Sequence, residues 1–98
     1  MVYKVDNNQL EIVRAARKIG AFVKVLSEVG HGFPDLLIAF GGVIYLCEVK
    51  LNKSSKLTPR QKDFIEKFPC PVYRIESVDN VIDLLLNSEK RDGLVIRC

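Results

Sequence analysis

The chain has 98 residues, a size that builds one domain on one core. Its hydrophobic share of 48% and charged share of 28% exclude a disordered tract, and no apolar run approaches the roughly 20 residues of a membrane helix. The net charge of +3 and isoelectric point near 8.8 are only mildly basic, so the placement of the cations matters more than their number.

The opening "MVYKVDNNQLE" turns polar too early for a secretory signal, which points to a cytoplasmic protein. Cys47, Cys70 and Cys98 are odd in number and widely spaced, with no CxxC and no Cys/His metal spacing. A disulfide framework, a zinc site and a thioredoxin-like redox domain are therefore disfavoured. Cys47 falls inside a β-pattern and reads as a small core residue, since a catalytic thiol would need His31, the one histidine, as its base.

Residues 8–19, "NQLEIVRAARKI", carry apolar side chains at Ile12, Val13, Ala16 and Ile19, a helical spacing that Asn7 would cap and Gly20 would end. Residues 21–26, "AFVKVL", suit a first strand, and "SEVGHGFP" a loop. Strand two is "DLLIAF" and strand three "VIYLCEVK", joined by Gly41-Gly42. Two glycines between apolar strands predict a type I′ hairpin, because both turn positions need positive φ. The polar loop "NKSSK" leads to "TPRQKDFIEKF", where Thr58 caps, Pro59 opens the helix and Gln61 completes a capping box. "PVYRI" reads as a fourth strand. Ser77 then caps a helix to about Asn87, with Val78, Val81, Ile82 and Leu85 inward. The tail "GLVIRC" suits either a short strand or an arm. The expected architecture is one α/β domain over residues 1–98, a mixed central sheet flanked by helices in the order α-β-β-β-α-β-α.

The hairpin register carries the functional argument. With Gly41 and Gly42 as the loop, Phe40 pairs with Val43, and counting outward sets Asp35 opposite Glu48 at a non-hydrogen-bonded site. Lys50, two residues on, projects from the same face. Two carboxylates ~4 Å apart repel by roughly 4 kcal/mol at an effective dielectric near 20. That is a large share of the 5–15 kcal/mol typical of a domain. A divalent cation would offset the repulsion, because paired carboxylates are hard oxygen ligands suited to Mg²⁺ or Mn²⁺. Lys50 would offset part of it too. Taken singly, Asp after Pro is a common turn residue and a charged strand end is often solvated. On one face of a central hairpin, the three together point to a cleft.

"Pro34-Asp35" followed by "Glu48-Val49-Lys50" resembles the PD-(D/E)xK nuclease signature, and "GHGFPDLL…EVK…LTPRQKDFIEKF" resembles the VRR-Nuc family in particular. The likeness runs from about Glu11 to Leu86 and extends to the archaeal Holliday-junction resolvases. The resemblance implies a restriction-endonuclease-like core and a metal-dependent DNA endonuclease leaving 5′-phosphate and 3′-hydroxyl ends. It implies selectivity for branched DNA, a Holliday junction or a flap. By position, Asp35, Glu48, the Val49 carbonyl and Glu11 would serve the metal. Lys50 would orient the attacking water, and Gln61 would stand beside the site. Gln61 is equally explained by the capping box, and Glu11 by an i,i+3 pair with Arg14.

Residues 50–62 hold Lys50, Lys53, Lys56, Arg60 and Lys62 and no acid, a run suited to phosphate-backbone contact with little base reading. His31 would flank the same phosphate path. Cutting two strands calls for two sites, hence a homodimer, with the apolar last helix or the tail as contact. No organic cofactor and no membrane contact are expected. The alternative is a non-catalytic nucleic-acid-binding module on the same fold.

Overall fold

A computed structural model describes residues 8–97 of the chain; the expected cap Asn7 and Cys98 lie outside the described residues. Helix α1 (Gln9–Ile19) leads into strands β1 (Phe22–Val25), β2 (Leu36–Phe40) and β3 (Val43–Val49). Helix α2 (Pro59–Lys67), strand β4 (Val72–Ile75) and helix α3 (Val78–Leu86) follow. One helical turn (Ser88–Arg91) and one turn of 3₁₀ helix (Asp92–Leu94) complete the described chain. The sheet order is β1-β2-β3-β4, antiparallel except for the parallel β3–β4 joint. The expected mixed α/β architecture is therefore present, with the hairpin strands central.

The diglycine turn sets the register. Gly41 and Gly42 have φ of 59° and 80°, and the pairs run from Phe40↔Val43 to Leu36↔Cys47. Alternation then gives the sheet two unlike faces. Val23, Leu36, Ile38, Tyr45, Cys47, Val49 and Ile75 are buried, and they cluster with Ile12, Val13 and Ala16 of α1 and Val81, Leu84 and Leu85 of α3. Each valine, leucine or isoleucine among them contributes roughly 1.5–3 kcal/mol by leaving water. The opposite face is far more open, with Phe22 64% and Ile44 67% exposed.

Three expectations on helix ends and faces are corrected. Helix α1 starts at Gln9, with Asn8 at the capping position but making no side-chain cap bond. The Asn8 Nδ2 donates to the carbonyl oxygens of Lys50 at 3.0 Å and Glu76 at 2.8 Å, clasping the end of β3 to the chain entering α3. In α3 the stripe is Val81, Leu84 and Leu85, while Ile82 stands at its edge, 36% exposed. The tail is neither free arm nor full strand. Val95 bridges antiparallel to Tyr73, and the Ile96 amide donates to the Val72 carbonyl at 2.8 Å.

Helix α2 has no buried residue. It is held at its start by the capping box of Thr58 and Gln61, with Pro59 in the first turn. Along its length, Phe64 meets Phe33 edge-on at 4.9 Å and stacks on Phe68 at 5.1 Å. The loop before β2, which carries Phe33, also brings Gly32 against the α2 backbone. Among the described residues no helix is long and apolar enough to cross a membrane.

Candidate active site

The sheet changes character where the β2–β3 ladder ends. The next pair outward of Leu36↔Cys47 would be Asp35 and Glu48, and Pro34 before them has no N–H to continue the ladder. Asp35 closes the end with its side chain: the Val49 amide donates to Asp35 Oδ2 at 2.8 Å. The Asp35 carbonyl accepts from the Leu26 amide at 2.7 Å, which fixes its backbone against the exit of β1. A carboxylate at a strand start is thus built into the backbone hydrogen-bond pattern.

Glu48 is 2% exposed and Lys50 8% exposed, so both charges are withdrawn from water. Burial of a charge is tolerated only with strong polar partners. Gln61 supplies them from α2. Its Nε2 donates to Glu48 Oε2 at 3.0 Å, and its Oε1 accepts from Lys50 Nζ at 2.9 Å. The same Oε1 accepts from the Thr58 amide at 2.8 Å while the Gln61 amide donates to Thr58 Oγ1 at 3.1 Å. Capping and site contact are therefore one arrangement, because the amide oxygen has two lone pairs and the NH₂ remains to reach Glu48. Lys50 Nζ stands 3.8 Å from Glu48 Oε2, a loose ion pair bridged by that amide. The Lys50 backbone is fixed at both ends, its amide donating to the Ile75 carbonyl at 3.0 Å and its carbonyl held by Asn8.

Asp35, Glu48, Val49, Lys50 and Gln61 thus converge at one end of the sheet. Glu11 does not join them. It is exposed on α1, and among the described residues no group of three or more His, Cys, Asp or Glu side chains is placed to hold a metal ion. Gln9 takes the inward position instead, 7% exposed, with its Nε2 3.4 Å from Ser27 Oγ. Two residues turn a helix by about 200°, so Gln9 and Glu11 cannot share a face. The apolar stripe of Ile12, Val13 and Ala16, extended one turn backward, falls on Gln9; that periodicity was the available signal.

Lys53, Lys56, Arg60 and Lys62 are exposed beside the site, on the loop and the start of α2. Arg74, absent from the sequence reading, shapes that loop by donating from Nη2 to the carbonyls of Asn52 at 2.9 Å and Ser55 at 2.7 Å. Its Nε pairs with Glu76 at 2.5 Å. Single arginines of this sort carry no sequence signature. His31 is exposed, with φ of 56° between two left-handed glycines, and its Nδ1 lies 3.4 Å from Arg60 Nη1.

Cys47 lies wholly inside the core behind these residues. Burial, reinforced by the Asp35 charge, pushes its thiol well above the ordinary 9.0, which suits a core residue and not a nucleophile. Above pH 9.0 the unfolded chain releases this proton while the folded chain keeps it, so the fold binds more protons and loses stability as pH rises. Urea unfolding from pH 8 to 10.5 should show a falling limb of up to about 1.4 kcal/mol per pH unit from this group. Cys47→Ala should flatten that limb; an unchanged slope refutes the assignment.

Asp35 and Glu48 are hard oxygen donors of the kind that suits a divalent cation, and Lys50 already places one positive charge beside Glu48. Comparison of the chain with protein-family models, curated proteins and solved structures finds no match.

Proposed function

We propose that the chain is a Mg²⁺- or Mn²⁺-dependent DNA endonuclease of the PD-(D/E)xK type, similar to VRR-Nuc domains, with selectivity for branched or flapped DNA. The observation that carries this reading is the Glu48–Gln61–Lys50 network beside an Asp35 tied to the Val49 amide, all at one end of a central hairpin. A structural carboxylate–lysine pair has no need of a second acid and a bridging amide in the same place. The α-β-β-β-α-β order also fits the restriction-endonuclease-like core.

In this reading Asp35, Glu48 and the Val49 carbonyl would hold the cation. When bound, it lowers the pKa of water and clamps phosphoryl oxygens. The chain's own residues do the positioning. Gln61 holds the Glu48 carboxylate in one rotamer and keeps Lys50 Nζ directed at the site rather than at bulk water. Lys50 places a fixed positive charge where phosphorane charge develops, in surroundings that strengthen it. Lys53, Lys56, Arg60 and Lys62 hold the backbone of the substrate, and His31 with Arg60 borders its path. Glu11, on the exposed side of α1, is left out of this assignment. A two-fold dimer would present two such sites to the two strands of a branch, and the open sheet face around Phe22 and Ile44 is an apolar surface available for it. A cytoplasmic setting completes the reading.

The test is a panel of labelled junction, flap, linear and single-stranded DNA with Mg²⁺, Mn²⁺ or EDTA. Metal-dependent cutting of branched or flapped DNA is expected, reduced at least about 100-fold in Asp35→Asn. Metal-independent binding of DNA without cutting would instead make the chain a binding module.

A further inference from the structure

The two segments that carry Asp35 and Gln61 also build a second feature. Phe33, two residues before Asp35, lies edge-on to Phe64, and Phe64, one turn after Gln61, stacks on Phe68 with ring planes 22° apart. Beside them opens a groove of about 300 Å³ lined by His31, Asp63, Phe64, Lys67, Phe68 and Pro69. Its aromatic rings are half-buried and its rim is exposed. We infer that this groove stacks an unpaired nucleobase of the DNA strand being cut, so that the substrate is DNA with a single-stranded arm next to the scissile phosphate. The inference rests on the nuclease reading and adds the feature of the substrate that is recognised.

Three observations support that occupant. First, the surface is aromatic and not merely apolar. Every base has a π-face, so ring stacking holds single-stranded DNA without regard to sequence. Second, the rim is cationic towards the site. Arg60 meets His31 at 3.4 Å, and the Asp63 carboxylate that could repel a phosphate is engaged by Lys67 at 3.1 Å. Third, the spacing fits. Phe64 and Phe68 follow Gln61 by three and seven residues, about 5 and 10 Å along the helix, which is one to three nucleotides at about 3.4 Å each. His31 stands at the mouth in a left-handed conformation, and so do Gly30 and Gly32 on either side. Of these three, only His31 has a side chain that the left-handed region penalises, and it lines the groove. A base already unpaired enters at little cost, whereas one in a duplex must first be unstacked.

The experiment uses 5′-flap DNA bearing 2-aminopurine, or an abasic site, at each of the first three unpaired positions, with EDTA present to prevent cutting. At one position the 2-aminopurine fluorescence should be quenched on binding, and the abasic flap should bind roughly 5- to 100-fold more weakly. Phe64→Leu keeps apolar volume against Phe33 but removes the ring. It should abolish the quenching and weaken flap binding about tenfold, while duplex affinity stays close to that of the parent. Equal binding of normal and abasic flaps, without quenching, overturns this inference alone. So does a Phe64→Leu effect confined to sedimentation, which would mark the groove as a contact between copies of the chain. Failure to bind any DNA overturns the nuclease reading and this inference together.

Discussion

Replacing Lys50 by methionine is expected to destabilise the protein by about 3 kcal/mol and, on the nuclease reading proposed above, to reduce cleavage by about 1000-fold. The stability term follows from Glu48. That carboxylate is 2% exposed, and the Lys50 ammonium is 3.8 Å from it and hydrogen-bonded to the same Gln61 amide. Methionine keeps much of the lysine's length and volume but no charge, so the variant isolates the electrostatic loss from a packing defect. A buried charge deprived of its counter-charge is far more costly than a neutral isostere in the same place. The double variant Lys50→Met/Glu48→Gln should therefore regain most of the lost stability, to within about 1 kcal/mol of the parent, and still cut nothing. Urea unfolding at pH 7 of the four proteins in that cycle separates the two roles. A Lys50→Met protein as stable as its parent would show that Glu48 does not depend on the ammonium. A folded Lys50→Met protein that still cuts would falsify the catalytic assignment.

Gly32→Ala is expected to be nearly as damaging, through geometry alone. A methyl group there would lie 2.3 Å from the Arg60 carbonyl oxygen, 2.4 Å from its carbon and 2.8 Å from the Gln61 nitrogen. All three are backbone atoms of the first turn of α2, so no side-chain rotation relieves the clash. The φ of +81° adds the left-handed penalty of roughly 1–2 kcal/mol. Helix α2 must move away, and with it Gln61. A total cost of about 3 kcal/mol would lower the melting temperature by roughly 12–24 °C for a domain of this size. Gly30→Ala provides the comparison. Its φ of +71° carries the same backbone penalty, but nothing lies within 4 Å of the added carbon. Equal losses in the two variants would mean that the Gly32 contact with α2 is not made in solution.

What the sequence disclosed follows from how local each signal is. The diglycine turn and strict alternation were enough to pair Phe40 with Val43 and Leu36 with Cys47, because a two-residue turn leaves one register. Thr58-Pro59 with Gln61 announced the start of α2 for the same reason, and its box is formed as expected. Contacts between distant segments left no such trace. Asn8 looked like part of a helix start, yet its amide joins two carbonyls that are 42 and 68 residues away in the chain. Glu11 attracted attention as an acid, while the buried polar residue of that helix is Gln9. Phe64 and Phe68 stood four apart in plain view, but their partner Phe33 comes from a loop, and loops show no periodicity.

The parallel β3–β4 joint bears on how the protein is made. The β2–β3 hairpin needs only its own residues and the turn between them, so it can close early on the ribosome. The two backbone anchors of Lys50 are different, since one is the Ile75 carbonyl and the other is Asn8, whose second bond goes to Glu76. A nascent chain that stops short of β4 therefore displays both acids and the lysine without the frame that aims them. On the nuclease reading proposed above, competence to cut would arrive late, after the last strand has slid into place.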